Sequence, residues 1–179
     1  MTRRRAHVVG LIFFLVLAAG FGTDVAIALE KNWVPTLSGW VNDIAGVLTS
    51  HERDQIAATL RQYHRETHHQ IVVLTIPSLG EEKIEAFSTR TANAWALGNK
   101  GFDDGILVTI VMKERKARIE LGKGMQQFIS DADAKQIMDI DMTPLFSTGH
   151  FYGGLEHGLQ RLMTEGRRFV VEIHPAQRK

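Results

Sequence analysis

Residues Gly98-Asn-Lys-Gly-Phe-Asp-Asp-Gly105 run directly into Ile106-Leu-Val-Thr-Ile-Val111, and Lys113-Glu-Arg-Lys116 then turns the chain into Ala117-Arg-Ile-Glu-Leu-Gly-Lys-Gly124. Ile106 to Val111 is a short, nearly unbroken apolar run, the pattern of a strand buried on both faces. Ala117 to Leu121 alternates beside it and reads as its hairpin partner. The same buried pattern occurs at Ile71 to Ile76, stopped by Pro77. Between the two runs, Ile84, Phe87, Thr91 and Trp95 recur at helical spacing, with Gly98 just past the end. A strand–helix–strand unit requires parallel strands and a right-handed crossover. The third strand then runs antiparallel, which gives a mixed, mainly parallel sheet with helices on both faces. In this topology the loop that ends at Gly105 enters the sheet where strand 117–121 leaves it. Asp103 and Asp104 are therefore expected near Glu120, Gly122 and Gly124.

Thr49-Ser-His-Glu52 is a capping-box signature that introduces a helix carrying Ile56, Leu60 and Tyr63. Ser130 reads as the cap of a further helix with Ala134, Ile137 and Met138, ended by Pro144. A last helix runs from about Phe151 through Leu155, Leu159, Leu162 and Met163. Residues 169–179 read as a tail with a strand at Phe169 to Ile173. No internal repeat or low-complexity linker divides the chain. One domain is expected over 40–168, preceded by an extended lead-in at 29–39.

Residues 1–28 form a separate unit. Arg3, Arg4 and Arg5 precede an apolar run from Val8 to Gly22, and Ala26-Ile-Ala28 has the small-x-small form of a signal-peptidase site. Cleavage after Ala28 makes the product exported, periplasmic or secreted; the competing reading is an uncleaved anchor. Removal takes away three arginines and Asp24. The mature chain then keeps 18 basic against 19 acidic residues, so the basicity of the whole chain resides in the leader. A near-neutral domain lacks the basic surface that displaces counterions from nucleic acid. Absence of cysteine excludes disulfides, a thiol nucleophile and thiolate metal ligands. No second apolar run reaches spanning length, so no transmembrane segment is expected after cleavage.

Several patterns bear on chemistry. Asp103-Asp104-Gly105 fits either a turn whose carboxylates bond nearby amides or a cation site that relieves the repulsion of adjacent acids. His64, His68 and His69 cluster at a helix end, where imidazolium interacts favourably with the dipole; two of them have chelating spacing but not the zincin pattern. Gly122-Lys-Gly124 lacks the third glycine of a dinucleotide fingerprint, and loop 98–105 has neither P-loop nor EF-hand form. Arg118 and Glu120 share a strand face, as a structural ion pair or as part of a site around the acidic loop. No nucleophile elbow is present.

From about Trp40 to Met163 the chain resembles the TPM domain family. The segments that carry the resemblance are Val41-Asn-Asp-Ile-Ala-Gly-Val-Leu48, Gln70-Ile-Val-Val73, Gly98 to Gly105, Arg118 to Gly124, and Pro144-Leu-Phe146 to Phe151-Tyr-Gly-Gly154. The resemblance implies a three-layer α/β/α sandwich. It also implies binding of a divalent cation, with Ca2+ foremost, and by position it makes Asp43, Asp103 and Asp104 the metal ligands. Asp104, Arg118 and Glu120 are the catalytic candidates, with Arg118 placed to hold a phosphate oxygen. Two functions are therefore expected in competition. One is a cation-binding or protein-interaction module with a role in maintaining the cell envelope. The other is a metal-assisted acid phosphatase, the activity described for a plant member.

Overall fold

The structure, a computed structural model, describes residues 33–173, with the surroundings of side chains given through Arg168. The expected leader, residues 1–28, lies outside the described residues. In chain order the elements are β1 (Val41–Asp43), α1 (Ser50–Thr67), β2 (Gln70–Ile76), α2 (Ile84–Ala94), β3 (Gly105–Val111) and β4 (Lys116–Leu121). After a 3-10 turn at Met125–Gln127 come α3 (Asp131–Ile137), a π-helical turn (Met138–Met142), α4 (Thr143–Ser147) and α5 (Phe151–Ile173).

The four strands lie side by side in the order β1-β2-β3-β4. β1, β2 and β3 are parallel, with Asp43 beside Thr75 and Gln70 beside Gly105; β4 is antiparallel, with Thr109 opposite Arg118. All seven residues of β3 are buried. This follows from its place between two strands and two helical layers, where neither face meets water. On one face, Val72, Leu74, Ile76, Leu107 and Val111 pack with Ile84 and Phe87 of α2. On the other, Ile71, Val73, Ile106, Val108 and Ile119 join Leu60 and Tyr63 of α1 and Leu155, Leu159 and Leu162 of α5. The result is the three-layer sandwich. Among the described residues no helix is long and apolar enough to cross a membrane.

The helix starts follow the expected caps. The Thr49 hydroxyl accepts from the Glu52 amide while the Glu52 carboxylate accepts from the Thr49 amide, and Ser130 and Asp133 do the same for α3. Each such cap contributes about 1 kcal/mol.

Three expectations fail. β1 was not anticipated as a strand: three residues are too few to show a period, and pairing with β2 is what makes them one. Pro144 does not end the third helix. The chain passes through the π turn, and Pro144 falls in the first turn of α4, where a missing N–H is no loss. Residues 169–173 belong to α5 instead of a strand. No glycine or proline interrupts the chain between Gly166 and Pro175, so the helix continues through Phe169-Val-Val-Glu-Ile173 despite its β-branched residues, a case of context overriding propensity. The π turn sits close on α5 because Gly158 has no side chain there: a Cβ would lie 2.1 Å from the Met142 methyl.

Candidate functional site

At the amino end of the parallel strands, the loop after α2 is fastened to the start of β2. The Gly98 amide donates to the Gln70 side-chain oxygen at 3.0 Å, and the Asn99 side chain donates to the His68 carbonyl at 2.8 Å. Asp104 turns inward and is only 2% exposed. Its Oδ2 accepts from His69 Nδ1 at 2.7 Å and from Asn99 Nδ2 at 2.9 Å, and its Oδ1 accepts from the Asn99 amide at 2.6 Å. Burial pushes the Asp104 carboxyl up. The hydrogen bonds from His69 and Asn99 outweigh it and hold the group below the usual carboxylate range. His69 is buried with it, so the pair is closed to a substrate.

Asp103 faces solvent in a left-handed conformation, φ 51°. Its carbonyl accepts from the Gly124 amide at 2.9 Å, and its Oδ2 accepts from the Lys123 amide at 3.1 Å. Gly122-Lys-Gly124 thus clamps the loop. A Cβ on Gly124 would lie 1.9 Å from the Phe102 carbonyl oxygen, so close approach to loop 98–105 accounts for the glycine there.

The other candidates lie elsewhere. Glu120 bonds Arg118 Nε at 2.7 Å and the Thr89 hydroxyl of α2 at 2.8 Å. It stands opposite Leu107, on the α2 face, whereas Asp104 points with Ile106 into the α1/α5 face. Arg118 is opposite Thr109, five residues along β3 from Asp104, or about 16 Å at the rise of a strand. Asp104, Arg118 and Glu120 therefore do not form one catalytic centre.

Asp43 lies at the opposite, carboxyl end of the sheet. Its Oδ1 accepts from the Val47 amide at 3.1 Å and from the Thr75 hydroxyl, and its Oδ2 accepts from the Leu48 amide at 3.0 Å. Thr75 is five residues from Gln70, the neighbour of Gly105, so about 16 Å of strand separates Asp43 from the acidic loop. Among the described residues no group of three His, Cys, Asp or Glu side chains is arranged to hold a metal. Asp43, Asp103 and Asp104 do not fit a shared calcium site.

The histidines also separate. His64 Nδ1 donates to the His69 carbonyl at 3.0 Å, His68 ends α1 in the left-handed region, and His69 faces Asp104.

At the same carboxyl end, over β3 and β4, the surface opens into a cleft of about 310 Å³. Its floor is Ile110, Val111, Met112 and Ala117. One wall is Thr143, Phe146 and Ser147 of α4 with Gly149 and Phe151, and Arg115 and Lys116 of the β3–β4 turn form the rim. Phe146 and Phe151 stack at 5.6 Å. Asp43, Thr75, Ile110 and Ala117 are one cross-strand row, of which Ile110 and Ala117 line the cleft. The one acid of the turn, Glu114, points away to the Ser78 hydroxyl at 2.6 Å. A depression over α2, lined by Glu85, Ala86, Thr89, Arg90 and Asn93, has only one helix as its wall and no opposing side.

The TPM domain profile matches residues 41–165. This chain belongs to the TPM domain family. The N-terminal domain of a Porphyromonas gingivalis protein (P. gingivalis), solved by solution NMR, is similar at 29% identity and TM-score 0.64, over 70% of this chain and 80% of that one. The BA42 protein of the psychrophile Bizionia argentinensis matches at 19% identity and TM-score 0.60, over 68% and 83%. The N-terminal domain of the Corynebacterium glutamicum cg2496 protein matches at 16% and 0.56, over 78% and 85%. These last two likenesses bear on the fold alone. Among curated proteins none matches the chain.

Within this TPM domain the cleft is what sequence reasoning missed. Pro144 to Gly154 carried the family resemblance but no role, and Lys113 to Lys116 read only as a turn. The available signal was position: in open α/β sheets ligands bind outside the carboxyl ends of the strands, where the Lys113–Lys116 turn must lie.

Proposed function

We propose that this TPM-domain chain is an exported binding module whose ligand lies in the cleft at the carboxyl end of the sheet. The observation that carries this reading is the make-up of the cleft: an apolar floor and aromatic wall beneath two exposed cations, Arg115 and Lys116, that are ion-paired to nothing among the described residues. Such a site takes a partly apolar anion, held by area below and charge above. Asp104 is instead buried and satisfied by His69 and Asn99, closed to a substrate, which supports a module over a phosphatase. Export rests on the leader pattern of residues 1–28.

The test uses residues 29–179 and anilinonaphthalene sulfonate, an aromatic anion whose fluorescence rises in apolar sites. Saturable binding at one site per chain is expected, weakened at least tenfold in the Arg115→Glu/Lys116→Glu variant. Binding unchanged in that variant removes the reading.

A second reading, a divalent cation, is favoured by one observation: Asp103 is the loop acid left in solvent, with Oδ1 taking no hydrogen bond among the described residues. Its test is thermal unfolding in millimolar calcium. Stabilisation that disappears in Asp103→Asn supports it, and no response excludes it.

A further inference from the structure

The strand beside the cleft is an edge. Among the described residues β4 pairs with β3 alone, on one side. The bond from the Gly122 amide to the Gly105 carbonyl, 2.8 Å, sets which residues face inward: Glu120, Arg118 and Lys116 exchange bonds with β3, and the alternate residues Ala117, Ile119 and Leu121 turn their amides and carbonyls outward. Among the described residues none of those outward groups is hydrogen-bonded. An edge of unpaired donors and acceptors is a template for another strand.

Polarity then selects the orientation. A strand added antiparallel to β4 runs in the direction of β3, so its carboxyl terminus arrives at the β3–β4 turn, beside Arg115 and Lys116. A residue paired with Ala117 puts its side chain on the same face as Ala117, the face that floors the cleft. Ala117 is small, which leaves space above it for that side chain, against Phe146 and Phe151. The hairpin turn carries Lys113, Arg115 and Lys116 in solvent, while the only acid there, Glu114, is held by Ser78.

Resting on the proposed use of the cleft, we propose that its occupant is the carboxyl-terminal segment of a protein: it adds as a strand to β4, seats an apolar last side chain in the cleft, and places its terminal carboxylate at Arg115 and Lys116. This combines strand addition with capture of a terminal carboxylate, two established ways of reading peptides. Main-chain bonds at Ala117, Ile119 and Leu121 supply sequence-independent affinity, and the cleft and cations select for the chain end.

The experiment is an NMR titration of residues 29–179 with a short Thr/Val peptide ending in a free Leu carboxylate. Two companions share its side chains: one is amidated at the carboxyl end, and one is N-methylated at the amides that would face β4. The free acid is expected to bind, to protect the amides of Ala117, Ile119 and Leu121 from hydrogen exchange, and to bind at least tenfold more tightly than either companion. Arg115→Glu/Lys116→Glu, two exposed changes, is expected to lose the preference for the free acid. Equal binding of the N-methylated peptide overturns strand addition, and equal binding of the amide overturns carboxylate capture. If anilinonaphthalene sulfonate binds the cleft and no peptide does, the peptide proposal falls and the cleft reading stands; if neither binds, both fall. Protection of the same three amides at rising protein concentration without peptide overturns the proposal in favour of β4 pairing with a second copy of this chain.

Discussion

The two ends of this sheet treat polar groups in opposite ways. At the amino end, Asp104, His69 and Asn99 satisfy one another, Gln70 accepts from the Gly98 amide, and the loop that bears Asp104 and Asn99 is clamped by the turn at Gly122 to Gly124. At the carboxyl end, Arg115 and Lys116 stand in solvent over an apolar floor, next to an edge strand with unmatched backbone groups. Adjacent acids invite a functional reading, yet a buried carboxylate that has three donors within hydrogen-bonding distance is already satisfied. A site for an incoming ligand needs groups that are not. Asp104 therefore belongs to the stability of the molecule, and the cleft is where the proposed ligand finds groups that are not yet satisfied.

The largest effect that can break this contrast is at Asp104. Asp104→Ala leaves the buried His69 and half-buried Asn99 donors without their acceptor, and loss of one partner of a buried pair costs about 3–5 kcal/mol. Urea unfolding checks this, and a loss below about 1 kcal/mol would show the loop to be dispensable to the fold. The acid limb carries the same information. Because the folded carboxyl titrates below its ordinary value of 3.8, its contribution is complete above that pH and disappears as pH falls through the lower folded value. The wild-type chain should thus lose stability faster than Asp104→Asn in that acidic window. Parallel limbs for the two proteins would show that Asp104 is not stabilised in the folded state.

A smaller loss is expected at the clamp. In Gly124→Ala the new methyl meets the Phe102 carbonyl oxygen, a backbone atom that moves only with its loop. Overpacking of this kind costs about 1–3 kcal/mol. The amide of Asn99 should exchange faster with solvent as the loop shifts, while binding of the aromatic anion at the other end stays as it was. Weakened binding in this variant would mean that the two ends are coupled.

Legibility in the sequence followed the length of the periodic signal. β2 and β3 show an apolar run, and β4 and the helices at Thr49, Ile84 and Phe151 a period, over five or more residues, and their order alone requires a mixed sheet with helices on both faces. β1 has three residues and no period. The π turn has no sequence signature, so Pro144 read as a stop when it was a start. Placement of the acids was half legible. Asp104 has the strand parity of Ile106 and Glu120 stands opposite Leu107, so parity already put them on opposite faces. Asp43 is different: without recognising β1 there was no way to see that it marks the carboxyl end. The cleft was least legible, since its floor and rim come from residues 110–117 and its wall from residues 143–151, two segments with a helix and two turns between them.

The smallest effect on stability should accompany the largest effect on binding. Arg115 and Lys116 are exposed and unpaired among the described residues, so Arg115→Glu/Lys116→Glu is expected to change unfolding free energy by no more than about 0.5 kcal/mol. The same variant should weaken the aromatic anion at least tenfold, because both charges at the rim now repel it. The dissociation into two behaviours is the point: stability lost without binding at Asp104, binding lost without stability at Arg115 and Lys116. If the rim variant unfolds as readily as Asp104→Ala, the turn is part of the scaffold, and the carboxyl end has no better claim to a ligand than the acidic loop.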